Sequence, residues 1–577
     1  MLYAHFALYM ILWPPLVWTN FILENGISSD NSENFPRMIE LWFLFASIWA
    51  LGGSLTEISK MQFDSFIRGI DGQFPSKDTV FEYFVDKVNK TWVSWETKLP
   101  NGWRYTNNIP FYKIYVPTVD SIRSEFIIRS LIKKKRPVLL IGDSGVGKTS
   151  LIQSIVGSPE VFATNLTINL SALSSSVGIQ SAFESKLERR TKNIYFPIGG
   201  RQLLTFLDDL NMPAKDEFGS QPALELLRHW IDYGFVYDRQ KQTTKYFNDI
   251  LLIAAMGPPG GGRNHINSRI QSRFSIMHMA FPSEESVTRI YKTILNQKLQ
   301  DFEEDVKPLG DILTTASLEI YHNIVTRMLP TPSRLHYLFN MRDISRVFQG
   351  LLRAHRDYYD SRESMIKLWI HEMTRVFSDR LVDENDRSYV SKLMADKLLS
   401  HFAMDAEQVY PANTCPLFGD FMNDSGAADN QIYLEISDMD KLKNFMVSKM
   451  SAYNEVPELV QADLVLFNCA INHICRITRV LRQQSGHMVL IGVGGSGRQA
   501  LARLSSYVTQ TVVFQIKISK NYRHSDFRED MRSLYIATTA NNQPRTFLFT
   551  DSEITNDLFL EDICNILSSG EVSFNLL

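Results

Sequence analysis

The chain is 577 residues long, 44% hydrophobic and 21% charged, with a formal net charge of −3. Such a length predicts about three or four domains, and so balanced a charge gives no electrostatic reason to expect nucleic acid or a membrane surface as partner. The four cysteines, Cys415, Cys469, Cys475 and Cys564, form no CxxC pair and no cluster with histidine at metal-ligand spacing. That argues against a disulfide framework or a zinc site and suits a reducing compartment.

The first apolar stretch, 6–18, lacks a basic flank and carries Pro14 and Pro15 in its middle. It is shorter than the roughly 20 residues a membrane span requires. A second apolar patch, 41–51, ends at Gly52 and Gly53. Both read as buried helices, so residues 1–75 are taken as a helical region. Residues 76–115, with Trp92, Trp95, Pro100 and Trp103, read as a packed irregular linker. Over 116–282 apolar runs alternate with helical segments, the pattern of a parallel α/β sheet. Candidate strands are 138–141, 203–207 and 250–255, each a continuous apolar run as expected when both sheet faces are covered. The basic run Lys133, Lys134, Lys135, Arg136 precedes the first of them and suits the end of a helix.

That first strand enters Gly142, Asp143, Ser144, Gly145, Val146, Gly147, Lys148, Thr149 and Ser150, a complete G-x-x-x-x-G-K-[ST] phosphate loop. The spacing places backbone N–H groups, one lysine and one hydroxyl around a polyphosphate and its Mg2+, and the helix that follows turns its positive end toward them. ATP or GTP with Mg2+ is therefore the expected ligand. The run 203–207 ends in Asp208 and Asp209. Asp208 is placed to hold Mg2+ together with Thr149, and Asp209 to orient the attacking water. This pairing resembles that of AAA+ ATPases, where the second acid is commonly glutamate. The shorter Asp209 therefore predicts slow turnover. Gly257 stands where such proteins carry a polar sensor, in the stretch AAMGPPGGGRN at 254–264. Arg269 and Arg273 are candidate fingers for a neighbouring module's nucleotide. Arg342, preferred over Arg346, is the candidate lid cation.

Residues 283–401 read as mostly helical, with an amphipathic segment at 335–352, and 410–430 as a connector. The pattern then begins again. A predicted strand at 487–491 leads into Gly492, Val493, Gly494, Gly495, Ser496, Gly497, Arg498 and Gln499, and a later apolar run, 547–551, ends in Asp551. Arginine replaces the lysine and Gln499 replaces the hydroxyl. This second loop is expected to hold a nucleotide without hydrolysing it, or to be empty scaffold.

Taken together these residues resemble part of an axonemal dynein heavy chain motor ring. The stretch VPTVDSIR at 116–123, FLDDLNMP at 206–213, AAMGPPGGGRN at 254–264 and residues 368–381 are similar to the third AAA+ module. Residues 45–55 and 63–68 are similar to the end of the second, and GVGGSGRQ at 492–499 to the loop of the fourth. The resemblance implies an α/β fold of tandem AAA+ P-loop NTPase modules, each a parallel sheet domain plus a helical lid. The implied division is 1–75 as the helical end of a preceding module, 76–115 linker, 116–282 large α/β domain, 283–410 lid, 411–455 connector and 456–577 a truncated large domain. The break is expected after 569–572, where 573–577 depart from the family's pattern. It further implies a place in a dynein ring with other dynein chains and microtubules as partners, with direct microtubule contact not expected of this segment. The implied location is the cytoplasm, the cytoskeleton and the ciliary axoneme. The expected role is regulatory ATP binding, with slow or no hydrolysis by the chain itself. The alternative is a non-enzymatic scaffold with vestigial sites. A P-loop kinase would need an acceptor pocket with its own acid or base, and no motif supplies one.

Overall fold

The computed structural model describes residues 35–569 apart from 71, 73, 87, 88, 101, 107, 108, 158–163, 201, 410–414, 423–431, 458 and 463. The apolar stretch at 6–18, much of the 410–430 connector and the C-terminal residues 570–577 lie outside the described residues. The chain divides into two compact units, Met1–Trp103 with Tyr115–Ser286, and Arg104–Ile114 with Val287–Leu577. Among the described residues no helix is long and apolar enough to cross a membrane.

In the first unit, helices α1 (Phe35–Gly52) and α2 (Glu57–Ile70) precede an antiparallel hairpin of β1 (Tyr83–Asp86) and β2 (Thr91–Ser94). This hairpin lies in the stretch expected to be irregular linker. Its alternating residues bury Tyr83 and Val85, and Trp95 just after it is fully buried in a cluster with Leu41, Trp42 and Phe45 of α1. The aromatic spacing that read as loop packing is thus a strand pattern, too short to be told from a packed loop by periodicity.

Helix α3 (Val119–Lys133) opens with a capping box between Thr118 and Ser121 and ends at the basic run, where Lys134 is the C-cap. Then come β3 (Val138–Ile141), α4 (Lys148–Val156), β4 (Thr164–Asn169), α5 (Ser176–Glu184), β5 (Leu187–Thr191), β6 (Ile194–Pro197) and β7 (Leu203–Asp208). They are followed by α6 (Pro222–Tyr233), β8 (Phe235–Tyr237), β9 (Thr244–Phe247), β10 (Ile250–Met256), the short α7 (Ser268–Gln271) and β11 (Ser275–His278). Five of these strands make one parallel sheet in the order β11-β3-β10-β7-β4, and β5, β6, β9 and β8 make a smaller one. Val138 and Leu140 pack on one face of the main sheet against Ile128 of α3 and Ile152 of α4. Leu139 and Leu203 face the other side, with Phe183 of α5 and Leu227 of α6. Burial on both faces is why these strands read as unbroken apolar runs.

The second unit continues α8 (Glu284–Leu299) with α9 (Leu309–Arg327), α10 (Met341–Leu351), α11 (Arg362–Val376), α12 (Glu384–Lys397) and α13 (Ala406–Val409) around one core. The amphipathic segment predicted at 335–352 forms helix only from Met341. Asn340 accepts from the Arg342 N–H and Asp343 caps the Asn340 N–H, so the capping box sets the start. A strand pair, β12 (Leu417–Gly419) and β13 (Leu434–Ile436), leads to α14 (Met439–Asn454) and α15 (Asn468–Leu481). Glu372 of α11 and Arg479 of α15 form a buried, doubly hydrogen-bonded ion pair, and the Tyr433 hydroxyl donates to Glu372 Oε1 at 3.0 Å. This fastens the helical bundle to the helix that precedes the second loop.

Helix α16 (Arg498–Val508), β14 (Val512–Phe514), α17 (His524–Asn541), β15 (Arg545–Phe547) and α18 (Asp557–Ser569) complete the unit, with β14 and β15 parallel. The strand expected at 487–491 is absent. In the first unit the equivalent β3 sits between β10 and β11, whereas among the described residues no strand lies beside 487–491. Val489, Ile491 and Val493 are accordingly 83%, 87% and 80% exposed. The later run is likewise strand only over 545–547, and Asp551 opens a 3-10 turn.

Candidate nucleotide site

The site of the first unit lies where β3 hands over to α4. Gly145 and Gly147 adopt φ of 88° and 92°, the left-handed region that favours glycine. A Cβ on Gly142 would overlap the Met279 carbonyl oxygen and touch Val146, so glycine is required there by close approach. Lys148 is buried and its Nζ donates to the carbonyls of Gly142 and Asp143, both at 2.7 Å. The ammonium is thus folded into the concavity of its own loop. Burial lowers its proton affinity, partly offset by Asp208 and Asp209, and an arriving anion would restore it.

Thr149 Oγ1 donates to Asp208 Oδ2 at 2.9 Å. Burial raises the Asp208 pKa, against the Thr149 hydrogen bond. A half-desolvated carboxylate beside a hydroxyl, with a lysine nearby, fits a Mg2+ ligand set: the metal would favour the ionised form that burial penalises. Among the described residues no group of three or more His, Cys, Asp or Glu side chains could hold a metal. A cation here therefore needs phosphate or water oxygens for the rest of its shell, as Mg2+ does. Ser150, one residue on, is exposed, as are Asp143 and Ser144 at the loop tip, while Val146 is buried beneath it.

Asp209 has φ of 51° and a half-exposed carboxylate 3.9 Å from Arg263 Nη2. Its backbone turns because Leu210 N–H bonds the Ala255 carbonyl and Asn211 Nδ2 donates to the Gly257 carbonyl at 2.8 Å. Arg263 was not singled out by sequence reasoning. Its guanidinium lies over Gly257, so that a Cβ there would be 2.9 Å from Nε, and its charge contributes to lowering the Lys148 pKa. The available signal was the run Gly260, Gly261, Gly262, all with positive φ, which doubles the chain back into a Gly260–Arg263 bridge. The space over Gly257, the expected sensor position, thus holds an arginine delivered from six residues later.

Arg269 lies on α7, and Arg273 is committed to Asp232 at 2.7 Å. Arg342 and Arg346 belong to the second unit, on the first turns of α10. Arg342 is exposed, and Arg346 lies 3.4 Å from Asp343, which Arg380 also holds at 2.7 Å.

The second loop repeats the backbone shape of the first: Gly495 and Gly497 have φ of 78° and 74°, and Gly497 is the N-cap of α16. Arg498 folds back so that its Cδ would be 3.4 Å from a Cβ on Gly492, near Ser496. Gly492, Val493, Gly494, Gly495, Ser496 and Gln499 are exposed. Asp551 is exposed too, while buried Glu553 caps the Thr550 N–H at 2.6 Å and accepts from Gln515 at 2.7 Å. The acid two residues beyond Asp551 is therefore already occupied in holding a turn.

Comparison with known proteins agrees in order along the chain. A model described as the P-loop containing dynein motor region matches residues 103–282, and one for its D4 region matches 462–576. An AAA+ lid domain matches 313–410, and a dynein heavy chain AAA lid domain matches 16–97. Dynein axonemal heavy chain 2 of Homo sapiens is 50% identical over 550 residues, covering 95% of this chain and 12% of the relative. The Dynein-1-beta heavy chain of the flagellar inner arm I1 complex of Chlamydomonas reinhardtii is 43% identical over 539 residues, 93% of this chain and 12% of that protein. Dynein axonemal heavy chain 6 of Homo sapiens is 37% identical over 92% of this chain and 13% of its own length. The chain thus spans about an eighth of the curated relatives it matches. With two glycine loops of one backbone shape, a parallel sheet and a helical lid in the matched order, it belongs to the axonemal dynein heavy chain family and corresponds to part of the motor region.

Proposed function

We propose that the first loop binds ATP or ADP with Mg2+, that hydrolysis there is slow or absent in this chain by itself, and that the segment is a regulatory, nucleotide-held part of an axonemal motor ring. The observation that carries the reading is the pairing of Thr149 Oγ1 with Asp208 Oδ2 at 2.9 Å beside a lysine held inside its own loop. On nucleotide arrival Lys148 exchanges two backbone carbonyls for phosphate oxygens, and the loop's N–H groups and the start of α4 supply further positive potential. Thr149 and Asp208 would hold Mg2+, which when bound neutralises phosphate charge. Asp209 would orient water, yet its carboxylate is one methylene shorter than glutamate and leans toward Arg263 at 3.9 Å. That supports slow turnover, because a carboxylate drawn toward a guanidinium is less free to orient an attacking water.

By family membership the segment's partners are the rest of a dynein heavy chain ring and other dynein chains. Microtubules are engaged through the ring, and the setting is the cytoskeleton of the ciliary axoneme. Nucleotide affinity of the chain and of Lys148→Ala, with and without Mg2+, tests the binding. Equal affinity of the two proteins would remove the loop from the account. Steady-state phosphate release tests the rest, and brisk turnover by the chain alone would contradict the slow site. For the second loop a scaffold reading is favoured by one observation, the commitment of Glu553 to its turn. Nucleotide binding surviving Lys148→Ala but lost on Arg498→Ala would reverse it.

A further inference from the structure

The second unit contains a cavity of about 630 Å³ that none of the nucleotide chemistry uses. Its wall carries Lys298 of α8, Arg353 and Arg356 from the turn after α10, and Arg482 and Gln483 from the end of α15, against one acid, Asp301. Three donors of wall residues, Arg353 Nη1, Arg482 Nε and Gln483 Nε2, are enclosed by protein and have no hydrogen-bond partner. Buried polar groups are ordinarily satisfied, and a set of orphans that are all donors leaves the wall with an excess of positive potential.

The nearby acids offset it only in part. Asp420 is taken at 2.8 Å by Arg353 Nη2 and stands 3.8 Å from Arg482 Nε, beyond hydrogen-bond reach. Asp357 lies 3.3 Å from Arg356, outside the cavity wall. Burial also lowers the proton affinity of Lys298, against Asp301, as expected of a cation short of solvation. Phe111, Ile114 and Leu352 give the cavity an apolar side. The volume is far larger than a phosphate ion needs and lies within the usual range for small-molecule sites.

We propose that this cavity is a binding site for a phosphorylated small molecule, its phosphate taken by Lys298, Arg353, Arg356 and Arg482 and its apolar or aromatic body by the Phe111 side. Occupied, it would tie the 104–114 segment to the end of α15, eleven residues before Gly492, and so to the base of the second loop.

The test uses the full chain carrying Lys148→Ala and Arg498→Ala, so that neither glycine loop keeps its cation. Phenyl phosphate and inorganic phosphate are titrated by calorimetry. Phenyl phosphate is expected to bind saturably at about millimolar concentration, more tightly than inorganic phosphate. Lys298→Gln with Arg356→Gln should weaken it at least about 10-fold. Asp301→Asn, an exposed change of opposite sign, should tighten it, and a damaged fold would not mimic that result. Absence of saturable binding up to about 20 mM, inorganic phosphate binding as tightly as phenyl phosphate, or an affinity unmoved by these substitutions would each overturn the proposal.

Discussion

Replacing Gly350 by alanine sets two effects of opposite sign against each other. Gly350 lies inside α10 and is buried, and helix propensity alone predicts that alanine stabilises such a position by about 1 kcal/mol. The added Cβ, however, would overlap the carboxylate of Glu372 and lie 2.7 Å from its Cγ. That carboxylate has nowhere to go: Arg479 holds both oxygens, and Tyr433 donates to Oε1 at 3.0 Å. Glu372 is fully buried and the Arg479 side chain is 7% exposed. Displacing the carboxylate leaves a buried guanidinium uncompensated, at a cost of about 3–5 kcal/mol for a fully broken pair, and overpacking without breakage costs about 1–3 kcal/mol. Once the helix gain is subtracted, the net destabilisation is about 0–2 kcal/mol for overpacking alone and about 2–4 kcal/mol where the pair breaks, as the lack of room for the carboxylate favours. Because two compact units need not unfold in one transition, the measurement is native-state hydrogen exchange on peptides of α10, α11 and α15. The sharper arm repeats Gly350→Ala in a Glu372→Ala background, where the obstacle is gone and the helix gain should return, giving a coupling energy of opposite sign to the single change. Protection in α11 and α15 equal to or above that of the parent after Gly350→Ala would refute the reasoning.

Three further outcomes follow from the geometry. Asp208→Asn should raise the melting temperature of the nucleotide-free chain, because the folded-state pKa of this acid is raised by burial and the ionised form therefore costs stability at every pH above it; the same change should weaken Mg2+-dependent nucleotide binding by about 10-fold or more. Asp238 accepts from the backbone N–H groups of Gln240 and Lys241 at 2.9 Å and from Lys245, and with the Lys241 bond leading these hold its pKa down at about 2. A depressed carboxylate contributes stability above its unfolded pKa near 3.8, lost as pH falls toward 2, so exchange protection of β8 and β9 should fall over that window and Asp238→Asn should remove the dependence. Cys475 is buried with its thiol pushed up to about 12 by desolvation, whereas Cys469 and Cys564 are exposed. Thiol reagents should modify those two in the native chain and reach Cys475 only on unfolding.

The parts of the fold visible in the sequence were those whose burial is symmetric. Val138–Ile141 is buried by α3 and α4 on one face and by α5 and α6 on the other, so it carries a continuous apolar signature that periodicity finds. The stretch at 487–491 carries the same signature without the strand, because a strand needs neighbours and a local pattern cannot report whether they are present. The hairpin at 83–94 fails in the other direction: four-residue strands capped by tryptophans leave too few alternations to read.

The site shows the same division between what spacing carries and what tertiary return carries. Lys148 and Thr149 are fixed by their place in one contiguous loop, and Asp208 by the end of β7, whose register against β4 and β10 brings its carboxylate to Thr149. Arg263 is not fixed by any spacing to those residues. It arrives because three glycines with positive φ reverse the chain after Met256 and because Gly257 has no side chain to keep the guanidinium out. The absence of a polar residue at 257 therefore has a structural counterpart: the place is taken by a cation that sits near Asp209 and adds to the field on Lys148. An anion entering the loop meets two positive groups rather than one, while the candidate base meets a neutralising partner. Under the proposed function both effects would favour holding a nucleotide over cleaving it. Arg263→Gln separates them: it should weaken nucleotide binding and, where any turnover is measurable, raise the rate per bound nucleotide. A fall in both would show that Arg263 serves the reaction itself.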